Sequence, residues 1–165
     1  MNRIFNKVVG TGGVGTGEIY LLEGSHTLGR EESRAGHLLP NRDFCKLHIV
    51  LHYISTLTKN MRPEVQVIPV SAVGDDSRGK TIREIMGNTG INMKYLKTID
   101  GVPTMHSFCF QYPDGAGGNI TESKSACSKV DPDMLKDAQG MIDDKTIILA
   151  VPEVPLKSRI EFIKI

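Results

Sequence analysis

Apolar positions along this chain change period repeatedly. Ile4 to Val9 is a β-type run that breaks into a glycine cluster at Gly10, Gly12, Gly13, Gly15 and Gly17. A polar stretch then runs to Pro40. From Arg42 to Leu57, Phe44, Leu47, Leu51 and Ile54 recur at steps of three and four, the stripe of an amphipathic helix, with Asn41 as its expected N-cap. Val65 to Val73 reads as a buried strand, although Pro69 interrupts it. A turn, Gly74-Asp75-Asp76-Ser77, opens a helix carrying Ile82, Ile85 and Met86, with Gly90 as its expected stop. Thr104 to Tyr112 is rich in β-formers, and Gly118 to Glu122 is expected to return antiparallel after Pro113-Asp114-Gly115. Asp131-Pro132-Asp133 starts another helix. Thr146 to Val151 is wholly apolar and reads as a strand inside a parallel sheet, and a last helix begins near Pro155. Alternating strands and helices imply one layered α/β domain over 1–165.

Composition narrows the function classes. The chain has 165 residues, 24% charged and 39% hydrophobic, enough for one packed core. Twenty basic against nineteen acidic residues give +1, and there is no Trp. Neither a charge field nor a stacking platform points to nucleic acid. No run approaches the roughly 20 apolar residues of a membrane span, and the first seven residues lack a signal-peptide core. Three cysteines, Cys45, Cys109 and Cys127, do not make a disulfide framework and suit a reducing cytoplasm.

Several patterns compete for the chemistry. Gly10-Thr11-Gly12-Gly13-Val14-Gly15 spells G-x-G-x-x-G, but Glu18 to Glu23 offers only a turn and a half of helix before Gly24, and Glu31 and Glu32 sit in a polar stretch. The expected reading is a glycine-rich turn leaving an edge strand. Gly74 to Thr81 satisfies the P-loop pattern, with Lys80 and Thr81 in place and Glu153 as a distant second acid. Asp75 and Asp76 oppose that use, because like charges 4 Å apart repel by about 4 kcal/mol at an effective dielectric near 20. They are expected to cap the helix instead. Asp114 to Asn119 reads as a hairpin tip. Cys45, His48 and His52 share a helix flank that could hold zinc with His37, or could simply border the apolar stripe. Cys109 and His106 alternate onto opposite strand faces, which argues against a thiol–imidazole pair.

Ala72-Val73-Gly74-Asp75-Asp76-Ser77-Arg78-Gly79, an amphipathic helix and Gly90-Ile91-Asn92 follow in an order that resembles the ribokinase-like carbohydrate kinases (the phosphofructokinase-B family). Pro103-Thr104 with Asp114-Gly115, Val130 to Leu135, and Ile147 to Pro155 resemble later segments of that family. The resemblance implies a truncated ribokinase-like α/β sheet with flanking helices and a small antiparallel lid hairpin around 100–124. It also implies the substrate-side N-terminal part of a sugar kinase, with ATP and Mg in complete relatives.

Departures from the pattern shape the expectations. The first-strand aspartate that binds sugar hydroxyls is missing between Gly12 and Gly17. The glycine-rich motif before the long helix is replaced by Leu39 to Cys45, which leaves Asn41, Arg42 and Asp43 as candidate substrate-binding residues. The family's glycine-rich anion hole and aspartate base are not matched, so no catalytic, cofactor or metal residue is assigned and the chain alone is expected to be inactive. The expected partners are a sugar or nucleoside and further copies of the chain, since a parallel sheet cut at Thr146–Val151 leaves an open edge. A noncatalytic oligomerising or ligand-binding domain and a P-loop protein are the competing readings.

Overall fold

The computed structural model describes residues 5–165, so Ile4 lies outside the described residues. A four-stranded parallel sheet forms the body. Its strands are β1 (Lys7–Thr11), β4 (Gln66–Gly74), β5 (Leu96–Ile99) and β8 (Thr146–Ala150), in the order β5-β4-β1-β8. Successive residues of one strand feed opposite faces. Val8 and Val67 pack on one side with Leu47 and Leu51 of α1 (Lys46–Thr58) and Ile82 and Met86 of α2 (Ser77–Gly87). Val9, Ile68 and Val70 pack on the other with Leu135 of α3 (Pro132–Lys136) and Phe162 of α4 (Leu156–Ile163). Leu47 and Leu51 are fully buried, and each such side chain contributes about 2 kcal/mol over its exposed state. Pro69 is tolerated because β5 pairs with β4 only from Ser71 onward.

A second four-stranded sheet covers one end of the body as a lid. It contains β2 (Gly15–Leu22), β3 (Gly36–Phe44), β6 (Met105–Gln111) and β7 (Gly117–Thr121), in the order β3-β2-β6-β7. Strands β2 and β6 run parallel, and the outer pairs are antiparallel. The β6–β7 hairpin is where the pattern placed it, but it is half of the lid. Glu18 to Leu22 is strand and not a turn and a half of helix, and the polar stretch running to Pro40 contains the first part of β3. Helix α1 accordingly begins at Lys46, with Cys45 and not Asn41 at its N-cap.

One further expectation changes. β1 lies between β4 and β8, so the glycine cluster leaves a central strand and not an edge. β8 is the edge strand expected of a sheet cut at Thr146–Val151, with Ile147 45% exposed, although its composition is that of an interior strand. Helix α2 ends at Gly87, and Gly90 follows with a left-handed φ of 84°. No helix among the described residues is long and apolar enough to cross a membrane.

Candidate functional site

The chain leaves β1 for β4 on one side and returns to β8 on the other, so the sheet has a switch point at β1 and β8. In open α/β sheets the crevice beyond the carboxyl ends of such strands is where ligands bind. Here that crevice is formed by Gly12 to Val14 after β1, Val151 to Glu153 after β8, and the N-terminus of α1, beneath the lid.

Polar groups converge on that helix end. Glu153 has a left-handed φ of 78°, which turns its carboxylate onto α1. Its Oε2 accepts from the Lys46 N–H at 3.0 Å and its Oε1 from Lys46 Nζ at 2.6 Å. Two neighbouring donors are also taken, the N-cap Cys45 N–H by Gly15 O at 3.3 Å and Leu47 N–H by Gly13 O at 3.1 Å. A Cβ on Gly13 would collide with the Glu153 side chain, so glycine is required for this approach. The bond to Glu153 raises the Lys46 pKa and keeps the amine charged. From the lid, Cys109 Sγ donates to Asp43 Oδ2 at 3.2 Å. Burial first, then the Glu153 carboxylate, push the Cys45 thiol up. Burial and the Asp43 bond raise Cys109 to about 11, and burial raises Cys127 to about 11. None of the three thiols is poised as a thiolate near neutral pH.

The three candidate residues before α1 lie in β3. Arg42 and Asp43 line one cleft with Phe44, His48 and Tyr53, and Asp43 also meets Cys109. Arg42 reaches a second cleft of about 230 Å³ with Glu18, Arg78 and His106. Asn41 is exposed. The pattern missed Lys46 and Glu153, whose contact spans 107 residues; the one local signal was an acid directly after the apolar run that became β8.

The glycine signatures resolve by packing. Gly10 to Gly15 runs from β1 into β2 with no helix after it, so no dinucleotide turn forms. In the second signature, Asp76 Oδ1 accepts from Gly79 N–H at 2.8 Å and from Thr104 Oγ1 at 2.7 Å, and Oδ2 accepts from Thr104 N–H at 2.8 Å. Partial burial works to raise the Asp76 pKa, but these bonds outweigh it and hold the carboxyl below its ordinary value. A Cβ at Gly79 would strike Gly74 O and Thr104 Oγ1. The cradle is filled by the protein's own carboxylate, and Asp75 points to solvent. With Asp76 on α2 and Glu153 on α1, the described residues do not fit a triphosphate at either helix end. His48 is buried against Phe44 and His52, with ring centroids 4.3 and 5.8 Å away, and no group of three metal-ligating side chains assembles among the described residues.

Solved structures carry the same architecture. Ribokinase from Giardia lamblia matches 96% of this chain with a TM-score of 0.72 at 16% identity, over 46% of its own length. A nucleoside kinase from Burkholderia thailandensis, solved with inosine, matches 95% of this chain and 48% of its own, with a TM-score of 0.69 at 12% identity. Ribokinase from Arabidopsis thaliana, solved with ribose and ATP, matches 98% and 50%, with a TM-score of 0.64 at 17% identity. The fold is ribokinase-like. The chain spans about half the length of these ribokinase-like proteins. No family model and no curated protein matches the sequence.

Proposed function

We propose that this chain is the substrate-side part of a sugar or nucleoside kinase and that its ligand enters the crevice between the α1 end and the lid. The observation that carries the reading is the Lys46–Glu153 pair at the start of α1, by the carboxyl ends of β1 and β8, with Asp43 three residues before Lys46 on the strand that leads into that helix. Carboxylates and an ammonium there offer acceptors and a donor to sugar hydroxyls. Asp43 binds the ligand directly. Arg42 shares a cleft with Asp43 and stands beside it toward the ligand, while Asn41 lies exposed on the lid. The neighbours solved with ribose and with inosine set the ligand class tested.

Phosphoryl transfer also needs an anion hole and a base aimed at one hydroxyl. The described residues supply neither, so ATP and Mg²⁺ are assigned to the portion of a complete kinase that this chain does not span. A thermal-shift titration tests the substrate reading. Ribose or inosine should raise the melting midpoint of the parent, and Asp43→Ala should remove the shift while leaving the far-UV spectrum unchanged. No shift from either compound up to about 10 mM rejects the proposal, since a ligand that binds the folded state alone must stabilise it.

A further inference from the structure

Resting on the substrate reading, we propose that the cleft between β3 and α1 holds the planar base of a nucleoside, so that the ligand is a nucleoside and not a free sugar. His48 is the first reason. Its imidazole is 1% exposed, and neither ring nitrogen has a hydrogen-bond partner among the described residues. A buried polar group left without a partner is costly and calls for an explanation. A neutral imidazole has one N–H to donate and one nitrogen that accepts, a pairing that the edge of a base can answer. The ring lines a cleft of about 370 Å³, within the roughly 300–1,000 Å³ of small-molecule sites.

The cleft is also aromatic. The ring centroids of Phe44 and His52 lie 4.3 and 5.8 Å from that of His48, and Tyr53 joins the lining at 64% exposure. Aromatic faces stack on any flat heterocycle, and an exposed tyrosine gains contact area when one arrives. A free sugar has no π-system to stack. Arg42 and Asp43 line the same cleft with one charge of each sign, which suits a neutral ring carrying both donors and acceptors.

Position ties this cleft to the sugar. Asp43, assigned to the sugar hydroxyls, is part of its wall, and β3 runs on from Asp43 into the start of α1 at Lys46. The residues lining it all belong to β3 or α1, on the flank of α1 away from the β8 edge. Ile54 and Thr58 border the β8 side. His48 and His52 share the opposite flank with Ser55, whose Oγ donates to Thr89 O, just beyond α2, at 2.6 Å.

Calorimetric titration with inosine, ribose and hypoxanthine tests the assignment on the parent and two variants. Inosine should bind the parent about tenfold tighter than ribose or better, as one stacked base should give. Tyr53→Ala, at an exposed position, and His48→Leu, which keeps the interior filled, should each weaken inosine about tenfold and leave ribose unchanged. Hypoxanthine alone should bind the parent weakly and the variants not at all. Ribose bound as tightly as inosine overturns the nucleoside assignment and leaves the substrate reading standing. Variants that weaken both compounds equally, or neither, overturn it as well, since the base is then seated elsewhere. No binding of any of the three overturns both readings together.

Discussion

Helices α1 and α2 point their N-termini toward the same end of the sheet and solve the same problem by different routes. Unpaired N–H groups at a helix start must find acceptors. Helix α2 does this locally, with Asp76 as its N-cap three residues before Gly79. A single hydroxyl ties that cap to the lid entrance, since Thr104 Oγ1 donates to Asp76 and accepts from Gly74 N–H at 2.9 Å. Helix α1 has no side-chain bond from its own N-cap, Cys45. Its donors go to the β1–β2 link and to Glu153. Local capping makes a rigid corner. Distant capping makes the start of α1 report on whether β1, β8 and the lid are assembled together.

The largest expected difference between the two ends is their response to acid. His48, in the first turn of α1, is 1% exposed and held neutral by burial, with His52 adding to the shift, at a pKa of about 4. The unfolded chain takes that proton near pH 6.5, so between 6.5 and 4 it binds more protons than the native state and stability falls as pH drops. Urea midpoints should record a loss approaching 3 kcal/mol across that window, at about 1.4 kcal/mol per pH unit. His48→Leu should flatten the profile there. Asp76 has the opposite charge type but the same direction, in a lower window. Its contribution is intact above the ordinary aspartate pKa of 3.8 and is lost as pH falls through its depressed native value. A profile flat from 6.5 to 4 in the parent would remove the contrast.

Next in size is Thr104→Val, which keeps shape but orphans Gly74 N–H and removes one Asp76 bond. It should cost about 2 kcal/mol by chemical denaturation. A neutral result would mean that the α2 corner is held by packing alone. The finest test separates capping from backbone strain at Glu153. Glu153→Ala loses the α1 cap and keeps a left-handed residue with a Cβ, so a loss of about 1 kcal/mol is expected. Glu153→Gly loses the same cap but releases about 1 kcal/mol of left-handed strain, and its midpoint should stay near the parent's.

This contrast also explains what the sequence could and could not tell. Asp76 and Asp131 were legible because each cap and the N–H that donates to it lie within three residues. The α1 stripe was legible because its apolar residues are spaced at helical steps; its start was not, because Phe44 fits the stripe and yet ends a strand. Half of the lid was hidden. β2 opens with glycines and places Ile19, Tyr20, Leu21 and Leu22 in a row instead of alternating, while β3 mixes Pro40, Asn41 and Arg42 on a mostly exposed strand. β8 looked internal because composition records burial on two faces and says nothing about neighbours at an edge. In the candidate site, Asp43 could be proposed from its position before α1. Lys46 and Glu153 could not be paired until the strands were placed.

The four-stranded lid has one more consequence, for the integrity of a cut chain. Residues 23–35 join β2 to β3, yet neither strand depends on that link for its place. β2 issues directly from central β1, β3 feeds straight into α1, and both are held by the ladder between them. A protease that severed this loop would leave two pieces interleaved in one body, parting only when the whole is denatured.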